Sequence, residues 1–273
     1  MMRTYYILLM TLLVAFSLCA ANYSYNDLEP DEARRIAVEV YIYGYSLVTS
    51  EITRVQMTNS TGLNAIKTPM GVFNHVRTYP PATYHGVVAP NADTLYSIAW
   101  LDLDSEPWLF SHPEMNDRYY LFPIYSLWTA TLDIPGTRTA GSAAATYVLI
   151  GPEWKFSLPN KVQEEVTKII YSPTRYVLIL GRTYCTGTQE DYDIVHQLQD
   201  QYLLRPLSMF LQNEKETYNP SNALMTVDTP DPPFNQSGSV RDIIKNMNIT
   251  TYFNMMAVRM EVSTSKNIHQ DIQ

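Results

Sequence analysis

Pro90-Asn91-Ala92-Asp93-Thr94-Leu95-Tyr96-Ser97-Ile98-Ala99-Trp100-Leu101 begins as a turn and ends as a strand. Proline followed by two short amide and carboxylate side chains favours an Asx-type turn, in which side-chain oxygens accept from nearby backbone N–H groups. Tyr96, Ile98 and Trp100 then alternate with Ser97, Ala99 and Leu101, the period of two that a strand requires. Tyr119 to Ser126, Tyr147 to Ile150 and Tyr176 to Leu180 read the same way. Glu106-Pro107, Ile134-Pro135-Gly136, Gly151-Pro152 and Ser172-Pro173 punctuate them. Short strands with turn signals at this spacing indicate a β-sandwich rather than alternating βα units.

Helical patterns flank this β region. Pro30 suits a first helical turn, with Asp31 and Glu32 beside the positive end of the dipole. Ile36, Val40, Tyr43, Leu47, Ile52 and Val55 recur at three- to five-residue steps, which predicts one helix over 30–58 with an apolar stripe. Downstream, Thr188 can cap a helix running through Leu198 and ending before Pro206. A Pro-, Asp- and Asn-rich linker covers 218–235, and two short helices are expected over 240–247 and 251–261. The fold class expected is therefore α+β: an N-terminal helix, an antiparallel β-sandwich and a C-terminal helical segment. The expected boundaries are 1–21 for a signal peptide, 30–185 for the sandwich with its leading helix, 188–262 for the helical segment and 263–273 for a polar tail.

The chain of 273 residues is 46% apolar and 17% charged, a globular composition. Its net charge of −8 and lack of any basic run exclude nucleic acid as a partner, since phosphate neutralisation needs a basic face. Arg3, the apolar run 7–18 and Cys19-Ala20-Ala21 have the form of a cleavable secretory signal. That run is too short to span a bilayer, which takes about 20 residues, so no stable membrane span is expected after cleavage. Of the two cysteines, only Cys185 would remain, so no intrachain disulfide can form. Asn22, Asn59, Asn235 and Asn248 each begin an Asn-x-Ser/Thr acceptor, consistent with a secreted, extracellular glycoprotein.

Candidate chemistry concentrates between residues 90 and 139. Asn91 and Asp93 suit either the turn itself or ligand contact, with Asp93 as a general base and Asn91 as an orienting amide. Arg118 and Arg138 suit pairing with Asp93, Asp102 or Asp133, or else gripping an anionic or carbonyl-bearing ligand through the bidentate fork. Tyr45, Tyr96, Tyr120, Tyr125 and Trp128 could line a pocket or fill the core. Arg54 and Arg182 read as structural partners, and Cys185 as a buried, inert thiol. The five histidines are scattered without ligand spacing, so no metal is expected. No nucleophile elbow, phosphate loop or dinucleotide fingerprint is present, and no cofactor is expected.

Taken together, these segments resemble the family of domain of unknown function 1254. The resemblance is carried by Tyr43-Gly44-Tyr45, Pro69-Met70, His75-Val76-Arg77-Thr78-Tyr79-Pro80, the stretch 90–97, Trp100-Leu101-Asp102-Leu103, Arg118-Tyr119-Tyr120, Trp128-Thr129, Pro135-Gly136-Thr137-Arg138-Thr139, Gly151-Pro152 and Gly181-Arg182-Thr183. It implies an immunoglobulin-like sandwich followed by a jelly-roll partner domain, that of unknown function 1214. After residue 261 the sequence shows only a polar tail, so the expectation is a truncated member or a partner domain supplied from elsewhere. Two functions follow. One is binding of a small polar ligand, with cofactor-independent hydrolysis or lyase chemistry through Asp93, Arg118 and Arg138. The other is a non-catalytic, glycosylated surface or assembly module, or a remnant of one.

Overall fold

The computed structural model describes residues 29–58, 68–84, 90–212 and 238–263. The expected signal peptide, the linker, most of the polar tail, His85 and the acceptors Asn22, Asn59 and Asn235 lie outside them. The backbone separates into two units, residues 1–45 and 46–273. In the first, helix α1 (Pro30–Thr58) opens with Asp31 and Glu32 in its first turn, as dipole complementarity favours. Arg35 bridges Glu39 at 2.7 Å and Glu32 at 3.9 Å along this face. The apolar stripe does not hold throughout. Ile36, Tyr43 and Tyr45 are exposed, whereas Leu47, Ile52 and Val55, in the second unit, are buried.

The second unit is a two-layer β structure. The larger sheet has the order β1-β2-β9-β5-β6, with β4 also on β9: β1 is Asn74–His75, β2 Thr94–Asp102, β4 Tyr120–Leu121, β5 Ile124–Ser126, β6 Thr131–Asp133 and β9 Tyr176–Tyr184. The smaller has the order β10-β3-β7-β8, from Leu203–Pro206, Trp108–His112, Ala145–Ile150 and Lys168–Tyr171. Every pair is antiparallel except β7 and β8, which run parallel in the register Tyr147 to Lys168 and Ile150 to Tyr171. The expected α+β class and its antiparallel sandwich hold, and this one pair makes the smaller sheet mixed. The short helix α2 (Thr137–Ala140) lies between β6 and β7. A parallel pair needs a crossover of a dozen or more residues, and the segment between β7 and β8, carrying helix α3 (Asn160–Glu165), supplies one.

The inner faces of both sheets meet in one core. Ala99, Leu101, Ile124, Val177 and Ile179 from the larger sheet pack with Trp108, Phe110, Tyr147, Leu149, Ile170 and Leu204 from the smaller. Two glycines let the layers close. A Cβ on Gly181 would stand 2.5 Å from the Phe122 ring, and one on Gly151 would stand 2.5 Å from the Leu103 carbonyl oxygen.

Helix α4 (Gln189–Gln199) begins where Thr188 was expected to cap it: the Thr188 side chain accepts from the Asp191 N–H. The C-terminal part holds α5 (Leu207–Leu211), α6 (Val240–Asn246) and α7 (Ile249–Ser263), α6 being capped by Ser239. Helix α7 is anchored by charge. The fully buried Glu51 carboxylate accepts from Arg54 at 2.8 and 2.9 Å and lies 2.9 Å from Arg259 of α7. Arg54 also lies over the Tyr176 ring at 4.2 Å, so its role is structural, as expected. Among the described residues, no helix is long and apolar enough to cross a membrane.

Candidate functional site

Asn91 organises the turn ahead of β2. Its Oδ1 accepts from the backbone N–H of Asp93 at 2.5 Å and of Thr94 at 3.1 Å. Its Nδ2 donates to Thr94 Oγ1 at 2.9 Å and to the Tyr96 hydroxyl at 3.3 Å. This is the Asx geometry that the Pro-Asn-x-Asp sequence favours. It also fixes Tyr96 at the wall of a cavity of about 540 Å³, whose lining includes Tyr79, Pro80, Tyr84, Asn91, Tyr96 and Leu180. Thr94, Tyr96 and Ile98, with Leu180 opposite Ile98 in register, place this cavity on the outer face of the larger sheet rather than inside the sandwich.

Tyr79 is held firmly at that wall. Its hydroxyl donates to the Cys185 carbonyl, its backbone N–H donates to the Tyr192 hydroxyl at 3.1 Å, and the two rings meet edge to face at 5.6 Å. Burial pushes its hydroxyl above the usual tyrosine range. Gly187, with φ +85°, makes room: a Cβ there would meet the Tyr79 ring at 3.0 Å. Among the described residues, the cavity lining carries no carboxylate, histidine or cysteine.

Arg118 lines a separate depression of about 670 Å³, together with Tyr119, Tyr184 and Asp191, and the two share no lining residue. Its guanidinium grips Asp191 bidentately at 2.6 and 3.0 Å and donates to the Tyr184 carbonyl at 2.9 Å. The arginine holds the Asp191 carboxyl well below the usual carboxylate range. The aspartates expected as arginine partners sit elsewhere: Asp102 takes Arg175 at 2.7 Å and Asp133 takes Lys168 at 2.6 Å. The Asp93 carboxylate is exposed and makes no hydrogen bond or ion pair with the described residues, while its backbone carbonyl accepts from the Cys185 N–H at 3.1 Å.

The remaining candidates are dispersed. Arg138 is exposed, 5.9 Å over the Tyr119 ring. Tyr120 is fully buried, its hydroxyl donating to the Gly141 carbonyl at 2.9 Å and meeting His112 Nε2 at 3.2 Å. Trp128 is half-buried in the turn between β5 and β6, and Tyr45 belongs to the first unit. Thus Asn91 and Tyr96 share one cavity, Arg118 lines another, and the others line neither. Sequence reading passed over Tyr79, Tyr84 and Asp191 as site residues. The Tyr79-Pro80-Pro81 run was the available signal for the first; Asp191 carries no signal beyond its place in the helix that Thr188 caps. Among the described residues, no group of three or more His, Cys, Asp and Glu could hold a metal.

Two β layers fed by a helix, with an aromatic cavity behind an Asx turn, define the class. The family model described as "Protein of unknown function (DUF1254)" matches residues 70–206, from just before β1 to the end of β10. That is half of the chain, and the chain belongs to this family. Among solved structures it is similar to the VPA0106 protein from Vibrio parahaemolyticus, with 21% identity and a TM-score of 0.55. That likeness covers 84% of this chain and 52% of the other, so the chain spans about half the length of that structure. No curated protein matches the chain.

Proposed function

We propose that the chain is a binding module for a small, ring-bearing molecule, held in the cavity walled by Tyr79, Tyr84 and Tyr96. One observation carries this reading: the cavity joins rigid aromatic and proline walls to a few polar groups, Asn91, Thr78 and Thr94. Its volume of about 540 Å³ falls within the usual range for small-molecule sites. The lining favours a planar, largely apolar ligand over a strongly polar one. It also favours binding over turnover. Hydrolysis or lyase chemistry would need a base aimed at the ligand, and among the described residues the candidate beside the cavity is Asp93, whose carboxylate is exposed; Arg118 is committed to Asp191.

The neutral fluorophore N-phenyl-1-naphthylamine tests the site. Its emission should rise on binding, and Ile98→Trp, which fills the cavity from β2, should abolish the rise in a variant that still folds. Unchanged emission with the wild-type chain would overturn the reading.

The surroundings we propose are a secretory route and a jelly-roll partner domain, the latter on the strength of the family resemblance. Asn248 supports glycosylation: it is exposed, and its Oδ1 caps α7 by accepting from Thr250 N–H at 2.8 Å, which leaves Nδ2 for a sugar. Loss of one glycosidase-sensitive mass increment in Asn248→Gln, after expression in secreting eukaryotic cells, is the check. An assembly role has its own support in the outward-facing Phe156 and Tyr171, 74% and 69% exposed, around a depression that Trp154 also lines.

A further inference from the structure

Resting on that binding reading, we infer that the ligand carries a single anionic group, a carboxylate or sulfonate on its ring system, and that Arg182 receives it. Arg182 and Tyr96 are register partners on β9 and β2, so both side chains leave the same outer face of the sheet. The guanidinium carbon lies 4.8 Å over the Tyr96 ring. Tyr96 and Leu180, two residues from Arg182 on that face, both line the cavity. The charged fork therefore lies against a side chain of the cavity wall, just outside the lining itself.

Arg182 is half-buried and has no carboxylate partner among the described residues. Arg54 and Arg259 share Glu51, Arg77 has Asp200, Arg118 has Asp191, and Arg175 has Asp102 and Asp104. Apart from the backbone pairing of β9 with β2 and β4, the Arg182 side chain meets the Tyr96 ring and makes no hydrogen bond or ion pair with the described residues, in a chain whose net charge is −8. Stacking on a tyrosine uses the flat face of the guanidinium and leaves its five N–H donors at the edges. The ring contact restricts the fork before ligand arrives, which lowers the ordering cost of binding.

The same features narrow the ligand. One guanidinium matches one carboxylate or sulfonate bidentately. A polyphosphate or other polyanion would meet a single cation against the chain's overall negative field. The tyrosine and proline walls accept the ring.

The test compares 8-anilinonaphthalene-1-sulfonate with N-phenyl-1-naphthylamine, the same two-ring frame with and without a sulfonate. Arg182→Gln should weaken the sulfonate probe about 10–100-fold, as loss of a charge-assisted pair does, and move the neutral probe less than about twofold. Ile98→Trp should abolish both. Circular dichroism checks the fold, and Arg182→Met replaces Arg182→Gln if the latter does not fold. Binding of both probes with no selective loss in the Arg182 variant overturns this inference while the cavity reading stands. Failure of the neutral probe to bind overturns both.

Discussion

Arg118 and Asp191, 73 residues apart, form a two-pronged ion pair at 2.6 and 3.0 Å that clamps the segment before β4 to the first turn of α4. The two side chains retain only 16% and 13% exposure, so the pair is largely shielded from solvent. Removing one member leaves the other shielded and uncompensated.

Arg118→Ala should therefore cost about 2–3 kcal/mol of unfolding free energy, measured by urea denaturation. Because Arg118 lowers the Asp191 carboxyl below its usual range, the unfolded chain takes up that proton first as pH falls. The stabilisation is complete above about pH 5 and fades as pH drops through and below roughly 4. Asp191→Asn should flatten that acid limb in melting curves recorded from pH 6 to pH 3.

His75 should give a second limb at higher pH. Burial, then the neighbouring Arg77 charge, lowers its imidazole to about 4, and Nδ1 pairs with the Ser97 hydroxyl at 2.8 Å. Between that value and the ordinary 6.5 the unfolded chain binds more protons, so stability is full above about pH 6.5 and declines towards pH 4. From pH 7 to pH 5 the loss should be roughly 1–2 kcal/mol. His75→Gln should remove this slope while leaving the Asp191 limb in place.

Glu51 neutralises two arginines from a site without solvent exposure. Glu51→Gln should destabilise by about 3–5 kcal/mol, since it leaves two guanidiniums beside a neutral amide. A drop in the urea midpoint with an unchanged m-value is the expected signature.

Gly151→Ala should cost more than Gly141→Ala, although Gly141 has the left-handed φ of +73°. At Gly151 the new methyl meets the Leu103 carbonyl at 2.5 Å, and a backbone oxygen cannot swing away; at Gly141 nothing lies within 4 Å. We expect about 2 kcal/mol or more for the former and about 1 kcal/mol for the latter, by calorimetry.

Strand β2 was legible because its two faces differ: Leu95, Ala99 and Leu101 point to apolar packing while Thr94, Tyr96 and Ile98 line a cavity. Strand β3 was not, because both its faces are buried. Trp108 and Phe110 enter the sandwich core, while Leu109 packs with Leu207 and Phe210 on the other side. Burial on two faces erases alternation. The parallel pairing of β8 was equally hidden, since four residues carry no directional signal. At the site, Asn91 declared its turn through local chemistry. The partners of Arg118 and Arg182 depend on contacts 73 and 86 positions away, set by register and helix docking rather than by local spacing.

The Glu51 cluster also bears on how the chain is made. Its carboxylate is synthesised long before Arg259, which at ~5–20 residues per second arrives about 10–40 s later. Throughout that interval the acid has at most the nearby Arg54 for company and keeps a strong claim on water. Final closure of this region is therefore timed by the ribosome's progress into α7, and a pause there would hold the nascent protein half-sealed.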